Sequence, residues 1–329
     1  MPSPPLVVPE RARRIAARQE GLLSTDQCRS SGITRQQAAR LVAQGRWRRP
    51  VRGVYDTGVP GEPGRDRLDR ARRRAALLGP LACPGTVATG VAALVLHGVQ
   101  GAPVEVRSEV TVPDGSARRG PGPVRVRRLR LRRWAEVDGI ACALPEDALA
   151  QAVPTLPRYR AVAMMDSAGH RGLVSRALLD RAREKSGDLA GSAARRSWWD
   201  ECDPRAESPA ETWARLSCAD AGVEPDALQL RLVGESGRVV ARVDLAWLLP
   251  DGSALLVEID GRDAHTGPEA LVADRIRQNR ISGRRSLVRR YTGREACNGT
   301  VAREVARLLA AEGWRPHPVR ADHGFVLPR

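Results

Sequence analysis

The 329-residue chain has no Cys-x-x-Cys pair: its six cysteines, Cys28, Cys83, Cys142, Cys202, Cys218 and Cys297, are scattered, and no histidine stands at zinc-finger spacing from them. Neither a structural zinc site nor a disulfide framework is expected. No apolar run approaches the length of a membrane span, and Met1-Pro2-Ser3-Pro4-Pro5 lacks the basic stretch and apolar core of an export signal. These absences point to a protein of the reducing cytoplasm with no membrane partner. Lysine is almost missing, Lys185 being the only one. An arginine excess of this kind fits either phosphate recognition or a GC-rich coding bias, so only the net charge and its location inform.

What is present is charge of one sign and enough apolar matter for real cores. Lys and Arg number 54 against 38 Asp and Glu, a formal balance of +16, and 42% of residues are hydrophobic. The length suits roughly two to three domains. The positive balance favours a polyanionic partner, nucleic acid before a membrane surface.

Residues 1–9 read as a disordered Pro-rich tail. Residues 10–62 read as a small DNA-binding domain. A basic helix from about Glu10 to Gly21 precedes two capping boxes, Ser24-Thr25-Asp26-Gln27 and Thr34-Arg35-Gln36-Gln37, each a hydroxyl at the N-cap with Gln three positions on. Ala38, Leu41 and Val42 give the second helix an apolar face and leave Arg35 and Arg40 for solvent or DNA. Gly32 lies between the two helices, which makes the order helix, tight turn, helix. The following Gly45 to Tyr55 segment reads as a strand-turn-strand wing carrying Arg46, Arg48, Arg49 and Arg52. The bland counterpart is a helical cap with a solvated charged face.

Residues 63–186 are a mixed α/β region. Leu68 to Leu78 and Val87 to His97 read as helices, and Val104 to Val112 as a strand. In Val124 to Arg133, apolar and basic residues alternate with a slip at Arg127-Arg128, as in a bulged strand. Its arginines fit a phosphate-tracking surface and fit a charged protective edge equally. His97 and His170 read as helix C-cap residues. Leu156 to Leu179 looks like a helical hairpin, and residues 187–203 like a linker or connecting helix.

Residues 204–315 change pattern to helix, three strands, helix, strand, helix, with a tail at 316–329. Ser208-Pro209-Ala210-Glu211 opens the first helix as a capping box. Gln229 to Val233, Val239 to Leu248 and Ala254 to Asp260 are the strands. Glu269 to Ser282 is a polar helix, Ser286 to Tyr291 a strand. Asp244, Glu258 and Asp260 stand inside apolar strand runs, where acids are out of place. Asp244 and Glu258 fall on neighbouring strands, and Glu258 and Asp260 share one face, so the three can converge on Mg2+ or Mn2+. The fold class expected is α/β, α+β overall, with an N-terminal winged helix-turn-helix and a C-terminal mixed sheet flanked by helices.

An acid on one strand followed by Glu-x-acid on the next resembles the PD-(D/E)XK nuclease superfamily, whose restriction-endonuclease-like fold it implies. More narrowly, Ser208-Pro209-Ala210-Glu211, Val243-Asp244-Leu245-Ala246-Trp247, Val257-Glu258-Ile259-Asp260-Gly261, His265, Asp274-Arg275 and Arg290-Tyr291-Thr292 are similar to the bacterial domain of unknown function related to very-short-patch-repair endonucleases. This resemblance covers about Pro204 to Leu309. The N-terminal helix pair and wing resemble the AbiEi-type antitoxin domain of type IV toxin-antitoxin systems.

The nuclease resemblance implies Asp244 and Glu258 as principal metal ligands, with Asp260 where most such enzymes have Lys. Asp260 could bind a second metal or accept a proton, but it cannot act as the lysine does. Arg262 is always charged and cannot be a base, whereas His265 could shuttle protons. Glu211 is explained by capping alone, or by capping with a metal or water contact. Arg275 and Arg290 are candidate phosphate contacts. The leading expectation is a metal-dependent DNA endonuclease or nickase, in phage defence, DNA repair or a toxin-antitoxin context. Its rival is a non-enzymatic, antitoxin-like DNA-binding regulator, and a cognate toxin is a possible partner of either.

Overall fold

A computed structural model describes residues 7–233, 239–260 and 286–316. It has the α/β character expected, α+β overall, with helices and three separate sheets. The chain forms two compact units. One holds the chain up to Leu156 together with Leu173–Asp200; the other holds Pro157–Gly172 and everything from Glu201 onward. Among the described residues no helix is long and apolar enough to cross a membrane.

The first unit opens with α1 (Glu10–Arg18), β1 (Leu22–Ser24), α2 (Thr25–Ser30), α3 (Arg35–Ala43), β2 (Arg48–Val51) and β3 (Val54–Asp56). The basic helix stops at Arg18, because the chain turns through Glu20 and Gly21, both at positive φ. Both capping boxes form as the sequence predicts. Ser24 Oγ accepts from Gln27 N and Thr34 Oγ1 from Gln37 N, while each Gln side chain accepts from its N-cap amide. The three strands pair in the order β1-β3-β2, which adds a wing to the helix-turn-helix. Ala12, Ala16, Leu23, Cys28, Ile33, Leu41, Trp47 and Tyr55 form its core.

The same unit continues with α4 (Arg67–Ala82), α5 (Gly90–Leu96), α6 (Pro145–Ala152), α8 (Arg176–Ser186) and a five-stranded sheet. The strands, in the order β6-β5-β4-β8-β7, are Arg125–Arg127, Glu109–Thr111, Val87–Ala88, Ile140–Ala143 and Trp134–Val137. Two expectations are corrected here. Val87-Ala88 is strand and the helix begins only at Gly90. The long basic strand shrinks to Arg125–Arg127, since beyond it Leu129 N donates to the Thr111 hydroxyl rather than to a backbone carbonyl. His97 caps α5, as its place before Gly98 predicts, whereas His170 is still the last residue of its helix. The only lysine, Lys185, pairs with Asp147 in this unit. Residues Ala193–Trp199 form a 3-10 helix within the stretch read as a linker.

The second unit contains α7 (Arg158–His170), α9 (Pro209–Asp220), β9 (Ala227–Val233), β10 (Val239–Leu248), β11 (Ala254–Asp260), β12 (Ser286–Thr292), α10 (Gly293–Cys297) and α11 (Thr300–Ala311). Helices α7 and α8, which span the stretch read as a hairpin, fall in different units. The sheet order is β12-β11-β10-β9, antiparallel from β9 to β11, with β12 parallel to β11. The connection between β11 and β12 lies in residues 261–285, outside the described residues, as do the expected helix Glu269 to Ser282, His265 and Arg275. β11 is apolar on both faces because both are covered. Leu255, Val257 and Ile259 join Ala214, Cys218, Val301 and Val305 of the helices. Ala254 and Leu256 face the other way, with Leu230, Leu232 and Val243.

A buried carboxylate helps hold this unit together. Asp166 on α7 is 1% exposed. It accepts from Asp203 N at 2.7 Å, Thr212 Oγ1 at 2.8 Å and Arg215 Nη2 at 2.9 Å, which ties α7 to α9 and to the chain entering it.

Candidate nucleic-acid interface and acidic centre

The N-terminal surface follows from the caps. With Ser24 and Thr34 fixing where α2 and α3 start, Ala38 and Leu41 turn inward and the charged residues of α3 turn out. Arg35, Arg40, Arg46, Arg48, Arg49 and Arg52 are all exposed. Among the described residues, Arg35, Arg40, Arg48, Arg49 and Arg52 are in no ion pair, so their charge is uncompensated. Arg35 opens the second helix of the pair, and Arg48, Arg49 and Arg52 lie on or beside the wing.

The acidic centre lies on the sheet of the second unit. The pairing of β10 with β11 runs to Leu245 opposite Val257, and Asp244 and Glu258 are the next residues of the two strands. Two steps along β11 from Glu258 stands Asp260. The acids form two sets with different partners. Glu211 and Asp244 are joined by Gln229, whose Nε2 donates to Glu211 Oε2 at 2.8 Å and to Asp244 Oδ1 at 3.1 Å. Asp244 Oδ2 also accepts from Ile259 N at 2.7 Å. Glu258, 7% exposed, and Asp260 share Arg290. Its Nε lies 3.2 Å from Glu258 Oε2 and its Nη2 3.0 Å from Asp260 Oδ1, because parallel pairing sets Arg290 beside Glu258.

Burial raises the proton affinity of Asp244 above the ordinary carboxylate range, against the donors from Ile259 and Gln229. Glu211 is raised by burial first and then by the charge of Asp244. Glu211 is more than a cap. Ser208 Oγ accepts from Glu211 N, but the Glu211 carboxylate reaches Glu207 N at 2.9 Å, so the capping box expected there is only half made.

Gln229 is the functional candidate that sequence reading passed over. It sits inside β9 at φ 51°, a left-handed conformation that costs a non-glycine residue roughly 1 kcal/mol or more. Leu228 and Leu230 pair with Leu245 and Val243, so the intervening Gln229 faces Asp244. Its Oε1 is buried and, among the described residues, has no hydrogen-bond partner. A polar residue between two core leucines, matched in register to an acid on the next strand, was the available signal.

Carboxylate and amide oxygens are the donors that Mg2+ or Mn2+ takes, and Glu211, Asp244 and Gln229 Oε1 suit such an ion in kind. Among the described residues no three His, Cys, Asp or Glu side chains are gathered as a ready metal cluster. Arg290, a candidate phosphate contact from the sequence, is engaged with Glu258 and Asp260.

Residues 10–56 thus form a winged helix-turn-helix with an uncompensated basic surface. Residues 10–55 match the family model described as a transcriptional regulator, AbiEi antitoxin. The chain is also 31% identical over 145 residues to an uncharacterized protein of Mycobacterium tuberculosis strain H37Rv, and to its counterpart in strain CDC 1551 / Oshkosh. Each alignment takes 44% of this chain and 52% of the relative, so the chain spans about half the length of the curated relatives it matches.

Proposed function

We propose that this protein is a DNA-binding regulator of the antitoxin kind, held on duplex DNA by α3 and the β2-β3 wing. The observation that carries the reading is the set of exposed, unpaired arginines on a doubly capped helix-turn-helix, within the segment that matches the AbiEi antitoxin regulators. Helix α3 enters the major groove in this reading, and the wing arginines meet the flanking phosphates. A cognate toxin is the protein partner the match suggests. The test is duplex binding by fluorescence anisotropy over a salt series. Replacing Arg48, Arg49 and Arg52 by Gln should flatten the slope of log K against log salt by roughly 3, about one per phosphate contact. An unchanged slope would remove the wing from the interface.

A second reading, a metal-dependent endonuclease or nickase, is favoured by the Glu211-Gln229-Asp244 cluster and by the order of helix, antiparallel meander and parallel fourth strand around it. Glu211, Asp244 and Gln229 would hold the ion, with Glu258 as a further ligand. Bound there, a divalent ion supplies Lewis-acid polarisation of a phosphodiester and charge for the leaving oxygen. Asp260 would accept a proton in place of the lysine of related nucleases, and Arg290 would hold Asp260 and Glu258 in position. His265 and Arg275 remain candidates for proton transfer and phosphate contact. With Mg2+ or Mn2+, the protein should nick supercoiled plasmid, and Glu258→Ala should not. Equal nicking by both proteins, or none by either, would end the enzymatic reading.

A further inference from the structure

Within the first unit, a groove of about 330 Å³ runs beside the winged helix. Ser24 and Gln27 at the start of α2 line one side, Leu81 in the last turn of α4 and Pro84 after it another, and Trp134 and Ile140 of the β7-β8 hairpin the third. Trp134 is 46% exposed, while Trp47, Trp199, Trp247 and Trp314 are buried. A large aromatic left in water at a groove of mixed polar and apolar lining suits a flat partner with an apolar face and polar edges.

The rim is basic. Arg118, exposed, donates through Nη1 to Pro84 O at 2.9 Å, which sets its guanidinium at the groove edge. Arg132 and Arg133, both exposed, directly precede Trp134, and among the described residues neither is in an ion pair. Their neighbours on the same run are different: Arg125 and Arg127 are taken by Glu109. Four acids lie nearby. Asp26 lines the groove and pairs with Arg29 at 3.0 Å, Asp138 pairs with Arg73, Asp114 forms a backbone bridge with Arg130, and Glu136 is exposed two residues beyond Trp134 on the same strand.

We infer that this groove is a second nucleic-acid site, which takes an unpaired base of a strand running off the duplex held by the winged helix. Trp134 stacks on the base, and Arg118, Arg132 and Arg133 hold the phosphates on either side. A duplex presents phosphates laterally but keeps its base faces stacked, so an exposed indole among unpaired arginines matches a single strand better than a duplex. The inference rests on the DNA-binding reading of α3 and the wing, because it makes the groove an extension of that surface.

The test uses the full chain with a fluorescein-labelled blunt duplex, the same duplex carrying a short 5′ or 3′ single-stranded overhang, and the single strand alone. The overhang should raise affinity about tenfold, the size of one base-aromatic stack. Trp134→Ala should erase that gain while leaving blunt-duplex affinity unchanged, and Trp134→Tyr should restore most of it. Arg132→Gln with Arg133→Gln should weaken overhang binding and lower its salt dependence. No preference for the overhang in the native protein, or an equal loss on blunt duplex for Trp134→Ala, would overturn the site. So would a Trp134-dependent change of oligomeric state without nucleic acid, which would make the groove a protein contact. If duplex binding fails but Trp134-dependent single-strand binding persists, the winged-helix reading fails and the groove stands.

Discussion

Replacing Gln229 tests the acidic centre at its joint. Its amide gives one hydrogen bond to Glu211 and one to Asp244, at 2.8 and 3.1 Å. Hydrogen bonds to charged groups contribute about 1.5–3 kcal/mol each, so Gln229→Leu should destabilise the second unit by about 3 kcal/mol after the added apolar burial is credited. Gln229→Gly loses the same donors but relieves the φ of 51°, and should therefore be more stable than the Leu variant by roughly 1 kcal/mol. The pH dependence has a definite sign. Asp244 and Glu211 both bind protons more tightly in the folded protein than in the unfolded chain. Their contribution to stability is then greatest at acid pH, falls as pH rises through the ordinary carboxylate range to the shifted one, and is flat above it. Removing Gln229 takes away a donor that lowers the Asp244 pKa, so the fall should be larger and extend to higher pH in the Leu variant. Urea unfolding from pH 4 to pH 8, followed by a probe in the second unit, reads all three effects. A Leu variant within about 1 kcal/mol of the native protein, or more stable than the Gly variant, would show that Gln229 does not bind the two carboxylates together.

Asp166→Ala should cost about 3–5 kcal/mol, because it strands the Arg215 guanidinium in the interior; adding Arg215→Met should recover part of that loss in a double-mutant cycle. Burial pushes Asp166 up to about 6, so its contribution to stability should decline between about pH 4 and pH 6, and Asp166→Asn should remove that decline from the unfolding curves. Ser24→Ala and Thr34→Ala each break a capping box, and each should lower stability of the winged helix by about 1 kcal/mol in thermal unfolding.

The parts legible from sequence were those in which a local rule decides. Ser24 with Gln27 and Thr34 with Gln37 announced two helix starts, and both formed, since a capping box needs only its own four residues. The strands from Val239 to Leu248 and Ala254 to Asp260 were read to the residue because both are long, apolar and bounded by turns. The run from Val124 to Arg133 misled, since its alternation continues where its ladder partner ends at Thr111. Gln229 was invisible for a related reason. Its importance depends on facing Asp244 across a strand pair and on a left-handed backbone, neither of which leaves a mark in composition. The pairing of Arg290 with Glu258 was likewise not legible, because it follows from the parallel register of β12 on β11.

Arg290 also bears on how the protein would answer to chelators. Glu258 and Asp260 already have a counter-ion supplied by the chain itself. Two of the four acids of the centre thus carry their counter-charge within the chain, unlike the ligands of a zinc finger, which have no substitute. EDTA would then leave melting of the second unit where it was. Any divalent ion that binds Glu258 must first take it from a guanidinium, which makes occupancy of that carboxylate a matter of exchange between two cations rather than the filling of a void.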